Sequence, residues 1–92
     1  MRIDYLLCYD IKDDSRLNRV LRYMKGKGIH LQYSVFHCHL THTELLKLMD
    51  DIKSLIDENE DDVRIYPLLA NFNAIVLGRG ARIPKGVDVF FD

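Results

Sequence analysis

Tyr5-Leu6-Leu7-Cys8-Tyr9-Asp10-Ile11 is the stretch of this 92-residue sequence that decides its fold. Side chains alternate between the two faces of a β-strand, and here both faces are apolar in the middle. The stretch therefore predicts a central strand that is covered on both sides. Asp10 closes the strand, where a carboxylate costs free energy unless it is solvated, hydrogen-bonded or bound to a cation. Asp10 is accordingly a candidate site residue, and a cap of the following turn explains its spacing equally well.

A helix and a strand-forming segment follow this first strand. Asp14 or Ser15 can cap the helix, and its apolar positions recur at helical spacing. These positions are Leu17, Val20, Leu21 and Met24. The segment 30–40 is rich in strand formers and forms one long strand, or two short ones with a break near Tyr33-Ser34.

A second helix and a further strand complete the regular part of the sequence. Thr41-His42-Thr43-Glu44 matches a capping box and opens the helix. The positions predicted to face inward are Leu45, Leu48, Met49, Ile52, Leu55 and Ile56. The segment 63–69 is a strand that Pro67 places at an edge, because proline cannot donate to a strand ladder.

The order of these elements is βαββαβ, the ferredoxin-like arrangement of the α+β class, within a single domain spanning residues 1–92. Its helices cover one face of a four-stranded sheet and leave the other open. Because the first strand is apolar on both faces, we expect the open face to meet a second copy of the chain in a homodimer. Residues from about 70 to 92 form a tail with strand-forming pieces, which we expect to pair with the partner protomer.

Composition narrows the class of protein. The hydrophobic share is 48%, the charged share is 29% and the net charge is −1, which excludes a uniformly basic nucleic-acid binder but not a local basic face. No apolar run has the length of a membrane span and no signal-peptide pattern is present, so we expect a cytoplasmic protein. Cys8 and Cys38 lie in apolar, strand-like contexts and suit reduced, buried thiols better than a disulfide framework.

Several short motifs of this sequence resemble those of the small CRISPR-associated endoribonucleases and occur in the same order along the chain. These endoribonucleases are the second core protein of CRISPR spacer acquisition. Tyr9-Asp10-Ile11 ends the first strand, Asp14 and Arg19 lie in the first helix, and Leu31-Gln32-Tyr33-Ser34-Val35-Phe36 follows it. The likeness continues through Ile56-Asp57, Val63-Arg64-Ile65-Tyr66-Pro67-Leu68 and Val76-Leu77-Gly78. Tyr-Asp-Ile alone would be weak, but its combination with Gln-Tyr-Ser-Val-Phe at this distance is specific.

The resemblance implies a homodimer in which the Asp10 side chains of two protomers approach each other at the twofold axis. Two facing carboxylates make a hard oxygen site that suits Mg²⁺, or another divalent cation such as Mn²⁺. Such a metal can acidify a bound water and stabilise charge on a phosphodiester. The implied activity is metal-dependent hydrolysis of RNA or DNA, with Asp10 as both catalytic and metal-binding residue.

The resemblance also assigns nucleic-acid contacts. Arg19 matches a basic position of the family's first helix that faces the nucleic-acid backbone. Arg16, one helical turn away, is the second candidate for a nucleic-acid contact. By themselves, exposed helix arginines are more typical of a solvated surface. Tyr9, Ser34 and Phe36 are candidate supporting residues, although Phe36 is also explained as a packed strand aromatic.

Four metal-ligating side chains, His37, Cys38, His39 and His42, suggest zinc. On a strand, however, His37 and His39 share one face while Cys38 points to the other, so the group does not converge as a tetrahedral site does. Exposed histidines on an edge strand explain the pattern better.

Two other functions stay open beside the metal-dependent endonuclease. One is a nuclease-inactive dimeric adaptor that bridges dimers of the CRISPR integrase subunit and binds duplex DNA. The other is a related ferredoxin-like toxin ribonuclease. The endonuclease requires Asp10 for its function, whereas the adaptor does not.

Overall fold

The computed structural model describes residues 1–72, 74–75, 77 and 89–90. Over these residues the chain forms two helices and six strands. They are β1 (Ile3–Asp10), α1 (Asp14–Lys25), β2 (Ile29–Gln32), β3 (Val35–Leu40), α2 (His42–Leu55), β4 (Asp62–Pro67), β5 (Ala74–Ile75) and β6 (Val89–Phe90).

The first four strands form one antiparallel sheet in the order β2-β3-β1-β4. This order confirms the ferredoxin-like prediction, with β1 inside the sheet and β4 at an edge. Leu7 shows the register, because it lies opposite Phe36 of β3 and Ile65 of β4. Pro67 ends β4 on the edge, where a residue without an amide hydrogen disturbs the ladder least.

The hydrophobic core lies between the helices and one face of the sheet. From the strands it contains Tyr5, Leu7, Tyr9, Phe36, Cys38 and Leu40. From the helices it contains Val20, Met24, Leu48 and Ile52. The alternation predicted for β1 is therefore observed, with the odd-numbered residues from Tyr5 onward turned toward the helices.

Both helices begin with a side-chain cap. The N-cap of α1 is Asp13, whose carboxylate accepts from the amide of Arg16 at 2.9 Å, so the predicted cap at Asp14 or Ser15 is wrong by one residue or two. The predicted capping box of α2 is confirmed, because Thr41 and Glu44 each accept from the other's backbone amide. The prediction that Met49 faces inward from α2 is also wrong, because Met49 is 42% exposed.

The segment 30–40 divides into β2 and β3 at Tyr33-Ser34, as one of the two sequence interpretations predicted. Gln32 lies opposite Val35, so the strands are joined by a two-residue turn. The register shifts between His30 and Gln32, which marks an irregularity in β2 just before the turn.

The second face of the sheet carries Asp4, Leu6 and Cys8 of β1, all half-buried. Cys38 lies opposite Tyr5 and so faces the helices, which places the two cysteines on opposite faces as free thiols. Burial raises the pKa of the Cys38 thiol to about 11. Side chains that point to opposite faces cannot be bridged within one protomer. Cys38 is buried as predicted, whereas Cys8 is only half-buried.

The predicted tail, from about residue 70 to 92, lies partly outside the residues that the structure describes. Ala74–Ile75 and Val89–Phe90 pair with each other in parallel. The pairing of the tail with a partner protomer stays a prediction, as does the extent of the tail from about residue 70 to 92.

Candidate functional site

Asp10 is the last residue of β1, at an exposed end of the sheet. Its side chain is 67% exposed, and its Oδ2 accepts from Lys12 Nζ at 3.0 Å. An ion pair of this exposure is weakly held, because both groups are well solvated. The carboxylate is therefore accessible to a cation or a ligand from solution, as its candidate role requires.

Asp62, the first residue of β4, lies directly opposite Asp10 in the strand register. Directly opposed side chains of an antiparallel pair are close neighbours on one face of the sheet. Arg64 Nε donates to Asp62 Oδ2 at 2.9 Å, so Asp62 has a cationic partner on its own strand. Sequence reasoning missed Asp62, because its position beside Asp10 depends on the register of two strands that are far apart in sequence.

Tyr9 and Phe36 support the Asp10 end of the sheet from the core side. The Tyr9 side chain is 7% exposed, and its ring stacks near that of the fully buried Phe36 at 6.3 Å between centroids. Burial raises the pKa of the Tyr9 hydroxyl, and the Ser34 side chain partly opposes this rise by hydrogen bonding. The structure thus places Phe36 as a packed strand aromatic.

The β2–β3 turn lies beside the end of β1. The Tyr9 amide donates to the carbonyl of Ser34 at 3.1 Å, so Ser34 is tied to the residue that precedes Asp10. The neighbouring Tyr33 has a positive φ of 32° and a side chain that is 90% exposed. Ser34 and Tyr33 are therefore brought to the candidate site by the hairpin.

Arg16 does not lie on a free helix face. Its Nε donates to Asp61 Oδ2 at 2.8 Å and its Nη2 to Asp61 Oδ1 at 3.2 Å. A second carboxylate oxygen, Glu60 Oε2, lies 3.5 Å from Nη2. The guanidinium group holds the pKa of Asp61 well below its usual range. The acidic run 57–62, which sequence reasoning left without a function, thus supplies the partners of Arg16.

Arg19 is exposed, and its Nη2 donates to the uncharged hydroxyl of Ser15 at 3.1 Å. Arg22 and Lys25 are also exposed on α1. These three cations form the basic face of α1. Of the two arginines that the sequence singled out, Arg19 is the one whose charge the described structure leaves available to a phosphate.

A separate group of polar residues lies near the start of β1, at the opposite end of the strand from Asp10. Asp4 Oδ1 is 2.9 Å from both His37 Nε2 and His39 Nδ1. Burial alone would raise the pKa of Asp4, but the hydrogen bonds from His39 and His37 outweigh it and lower the pKa. His37 is 5% exposed and packs against Phe72, so the prediction of an exposed side chain is wrong for this residue. His39 and His42 are exposed as predicted, but β3 is an inner strand and His42 lies on α2, so the edge-strand prediction is wrong for all three histidines.

The donor chemistry at Asp10 suits magnesium better than zinc. Carboxylate oxygens are hard donors, and Mg²⁺ binds through one or two of them while keeping several waters. Within the described residues no group of three or more His, Cys, Asp or Glu side chains is arranged to hold a metal ion. The zinc hypothesis therefore gains no support from His37, His39 and His42, and a magnesium ion at Asp10 would need water or a second carboxylate.

Comparison with known proteins shows the family to which the chain belongs. The family model for CRISPR associated protein Cas2 matches residues 1–73. The chain belongs to the Cas2 family. A relative in Thermodesulfovibrio yellowstonii, CRISPR-associated endoribonuclease Cas2 2, is 59% identical over 91 residues that cover 99% of this chain and all of that protein. A CRISPR-associated endoribonuclease Cas2 1 of Nitrosomonas europaea is 39% identical over 92% of this chain and 80% of its own length.

Solved structures agree with the Cas2 assignment. A hypothetical protein from Thermus thermophilus superposes with a TM-score of 0.79 at 35% identity, over 87% of this chain and 95% of that one. Streptococcus pyogenes Cas2, crystallised at pH 6.5, superposes with a TM-score of 0.70 at 30% identity, over 75% of this chain and 89% of that one. Both the Cas2 resemblance and the fold predicted from sequence are thereby confirmed.

The sequence analysis found no apolar run of membrane-spanning length. In the described portion of the chain, neither helix is both long enough and apolar enough to cross a membrane.

Proposed function

We propose that this Cas2-family protein is a metal-dependent endonuclease that hydrolyses RNA or DNA phosphodiesters through Asp10. The observation that carries the proposal is the placement of an accessible carboxylate at the end of a central strand whose preceding residue, Tyr9, is buried. The strand fixes the Asp10 backbone, while the side chain remains open to metal and substrate. Relatives named endoribonuclease and endonuclease support the reaction class.

The proposed active form is a homodimer in which the Asp10 carboxylates of the two protomers face each other and would hold Mg²⁺ or Mn²⁺. The bound metal would supply an acidified water and stabilise charge on the phosphodiester. Without metal, the facing carboxylates would repel each other. The half-buried residues Leu6 and Cys8 on the second face of β1 support a dimer, because a partner sheet would cover them.

Within one protomer, the described residues have distinct parts in this proposal. Asp10 would hold the metal, and Lys12, whose ammonium group pairs with Asp10, lies where it can also meet the negative charge of a phosphodiester. Arg19 on the basic face of α1 holds the phosphate backbone, which positions the strand without reading its sequence. Tyr9 and Ser34 keep the end of β1 in place.

The test is a nuclease assay on single-stranded RNA, single-stranded DNA and duplex DNA, each with and without magnesium. The full-length protein is compared with Asp10→Asn and with Asp50→Asn, which removes the same charge from an exposed position of α2. Asp10→Asn should reduce cleavage to the level seen without magnesium, and Asp50→Asn should leave it unchanged. Undiminished cleavage by purified Asp10→Asn protein overturns the proposal.

The dimer is tested separately by sedimentation. The protein and the Asp10→Asn variant should both sediment as homodimers at micromolar concentration, with the variant equally or more stable because it lacks the repelling charges. A stable folded monomer at that concentration contradicts the proposed active form.

A second candidate function rests on the basic face of α1, which does not depend on Asp10. A dimer that presents Arg19, Arg22 and Lys25 on each protomer can hold duplex DNA and bridge subunits of the CRISPR integrase without cutting. In that case Asp10→Asn would retain DNA binding and spacer acquisition, whereas charge reversal on α1 would abolish both. The two outcomes separate the adaptor from the endonuclease.

A further inference from the structure

Tyr33 has a backbone conformation that bulky residues rarely adopt. It is the first central residue of the two-residue β2–β3 turn, and its φ is +32°. Glycine is the usual residue where a hairpin turn requires positive φ at this position, because a side chain is strained there. A tyrosine at this position therefore needs an explanation other than turn geometry.

Packing does not supply that explanation. The Tyr33 side chain is 90% exposed, so its ring contributes little to the core. A glycine would remove both the strain and an exposed aromatic surface. Strained residues that gain nothing from burial are found at functional sites, where the conformation serves a ligand.

The turn that carries Tyr33 is nonetheless firmly held. The Tyr33 carbonyl accepts a hydrogen bond from His30 Nε2, and the His30 ring stacks on buried Phe36 at 4.4 Å between centroids. On the other side, the Ser34 carbonyl accepts from the Tyr9 amide at 3.1 Å. The exposed ring thus projects from a turn anchored to the core and to β1.

This anchoring places Tyr33 at the same end of the sheet as Asp10. Ser34 and Tyr9 are hydrogen-bonded across the strands, Tyr33 precedes Ser34, and Asp10 follows Tyr9. Neighbouring strands are only about 4.8 Å apart. A strand of nucleic acid whose phosphodiester lies at Asp10 would therefore pass beside the Tyr33 ring.

We propose that Tyr33 stacks on an unpaired nucleobase of single-stranded RNA or DNA held at Asp10. The inference rests on the proposed function, and it specifies single strands as the bound substrate. An exposed aromatic ring offers a flat surface to a splayed base, whereas the bases of a duplex are stacked on each other. Stacking tolerates any base, so the contact gives affinity without sequence preference.

The experiment measures binding apart from cleavage. Fluorescence anisotropy with labelled 12-nucleotide single strands and the matching duplex is performed in the Asp10→Asn background, without metal. Four variants are compared. Tyr33→Phe and Tyr33→Trp keep an aromatic ring, Tyr33→Leu keeps apolar bulk without a ring face, and Tyr33→Gly removes the strain.

The aromatic variants should bind single strands as tightly as the parent. Tyr33→Leu and Tyr33→Gly should weaken binding about tenfold, which is typical of one lost base-stacking contact. Duplex binding should change less than twofold in every variant. Tyr33→Gly should also raise the Tm, because it relieves the positive φ, and this opposite movement of stability and affinity excludes misfolding as the cause.

A 2-aminopurine base in the single strand gives a direct signature of stacking. Its fluorescence should be quenched by the parent protein and recover with Tyr33→Leu. The proposal is overturned if Tyr33→Leu binds single strands like the parent, if no single strand binds at all, or if Tyr33→Leu instead alters sedimentation, which would make the ring a protein contact. The cleavage test at Asp10 can fail while this result stands, so the two proposals are separable.

Discussion

Arg16 and Asp61 form an ion pair in which the aspartate side chain has no solvent-accessible surface, although 45 residues separate the two along the chain. The Asp61 carboxylate also accepts from the backbone amides of Lys12 and Asp57, each at 2.9 Å. The pair therefore joins the β1–α1 loop, which follows Asp10, to the loop before β4. These contacts hold the two loops together and so stabilise the Asp10 end of the sheet.

Asp61→Asn should destabilise the protein by lowering Tm by on the order of 5 °C, because a buried charge-assisted acceptor is lost and Arg16 is left without its main partner. Differential scanning calorimetry measures the change. Asp50→Asn serves as the matched control on an exposed surface. A double-mutant cycle with Arg16→Gln should be non-additive, and additive effects would show that the pair contributes no coupling.

Stability should also decrease in acid because of Asp61. Its pKa is lowered in the folded state, by hydrogen bonding from Arg16 above all, so the unfolded chain takes up the proton more readily. The contribution is fully present above the unfolded pKa of about 3.9 and is lost as the pH falls toward the folded value. Tm measured from pH 6 to pH 2.5 should fall less steeply in Asp61→Asn than in the parent, and parallel curves would contradict the assignment.

Arg19 and Arg16 should respond differently to substitution. The family resemblance made both arginines candidates for phosphate contact, but the structure commits Arg16 to Asp61. Arg19→Gln should weaken nucleic-acid binding similarly across sequences and reduce the salt slope by about 1.4 to 1.8 if a dimer loses two contacts. Its Tm should barely change.

Arg16→Gln should lower Tm and affect the salt slope less than Arg19→Gln does. Binding titrations between 50 and 200 mM salt, together with thermal melts, test both variants. If Arg19→Gln leaves the slope unchanged, nucleic acid does not follow the basic face of α1.

Lys12 should compete with a divalent cation for Asp10. Its ammonium nitrogen is 3.0 Å from Asp10 Oδ2, and both side chains are more than half exposed. Lys12→Gln should therefore tighten Mn²⁺ binding about two- to fivefold, the range expected for an exposed ion pair. Isothermal titration calorimetry measures the affinity, with Lys53→Gln on α2 as the control. Weaker binding by Lys12→Gln would mean that the cation does not bind at Asp10.

Local patterns in the sequence were sufficient to predict the elements and their order. The period-two apolar run of β1, the helical spacing from Leu17 to Met24 and the Thr41–Glu44 capping box each operate within a few residues. The βαββαβ order then leaves few topologies, and the ferredoxin-like sheet is one of them. The errors in the helices themselves were small and local, namely the cap at Asp13 and the exposed Met49.

The sequence by itself also singled out Asp10, because an ionised side chain on an apolar strand stands out without knowledge of the fold. Only the tertiary structure placed Asp62 opposite Asp10, joined Arg16 to Asp61 and brought the Tyr33 turn to the end of β1. These relationships depend on strand register and on loops that meet across the sheet. Residue spacing encodes contacts within one helix or strand, whereas contacts between distant segments are decided by how the packed sheet aligns them.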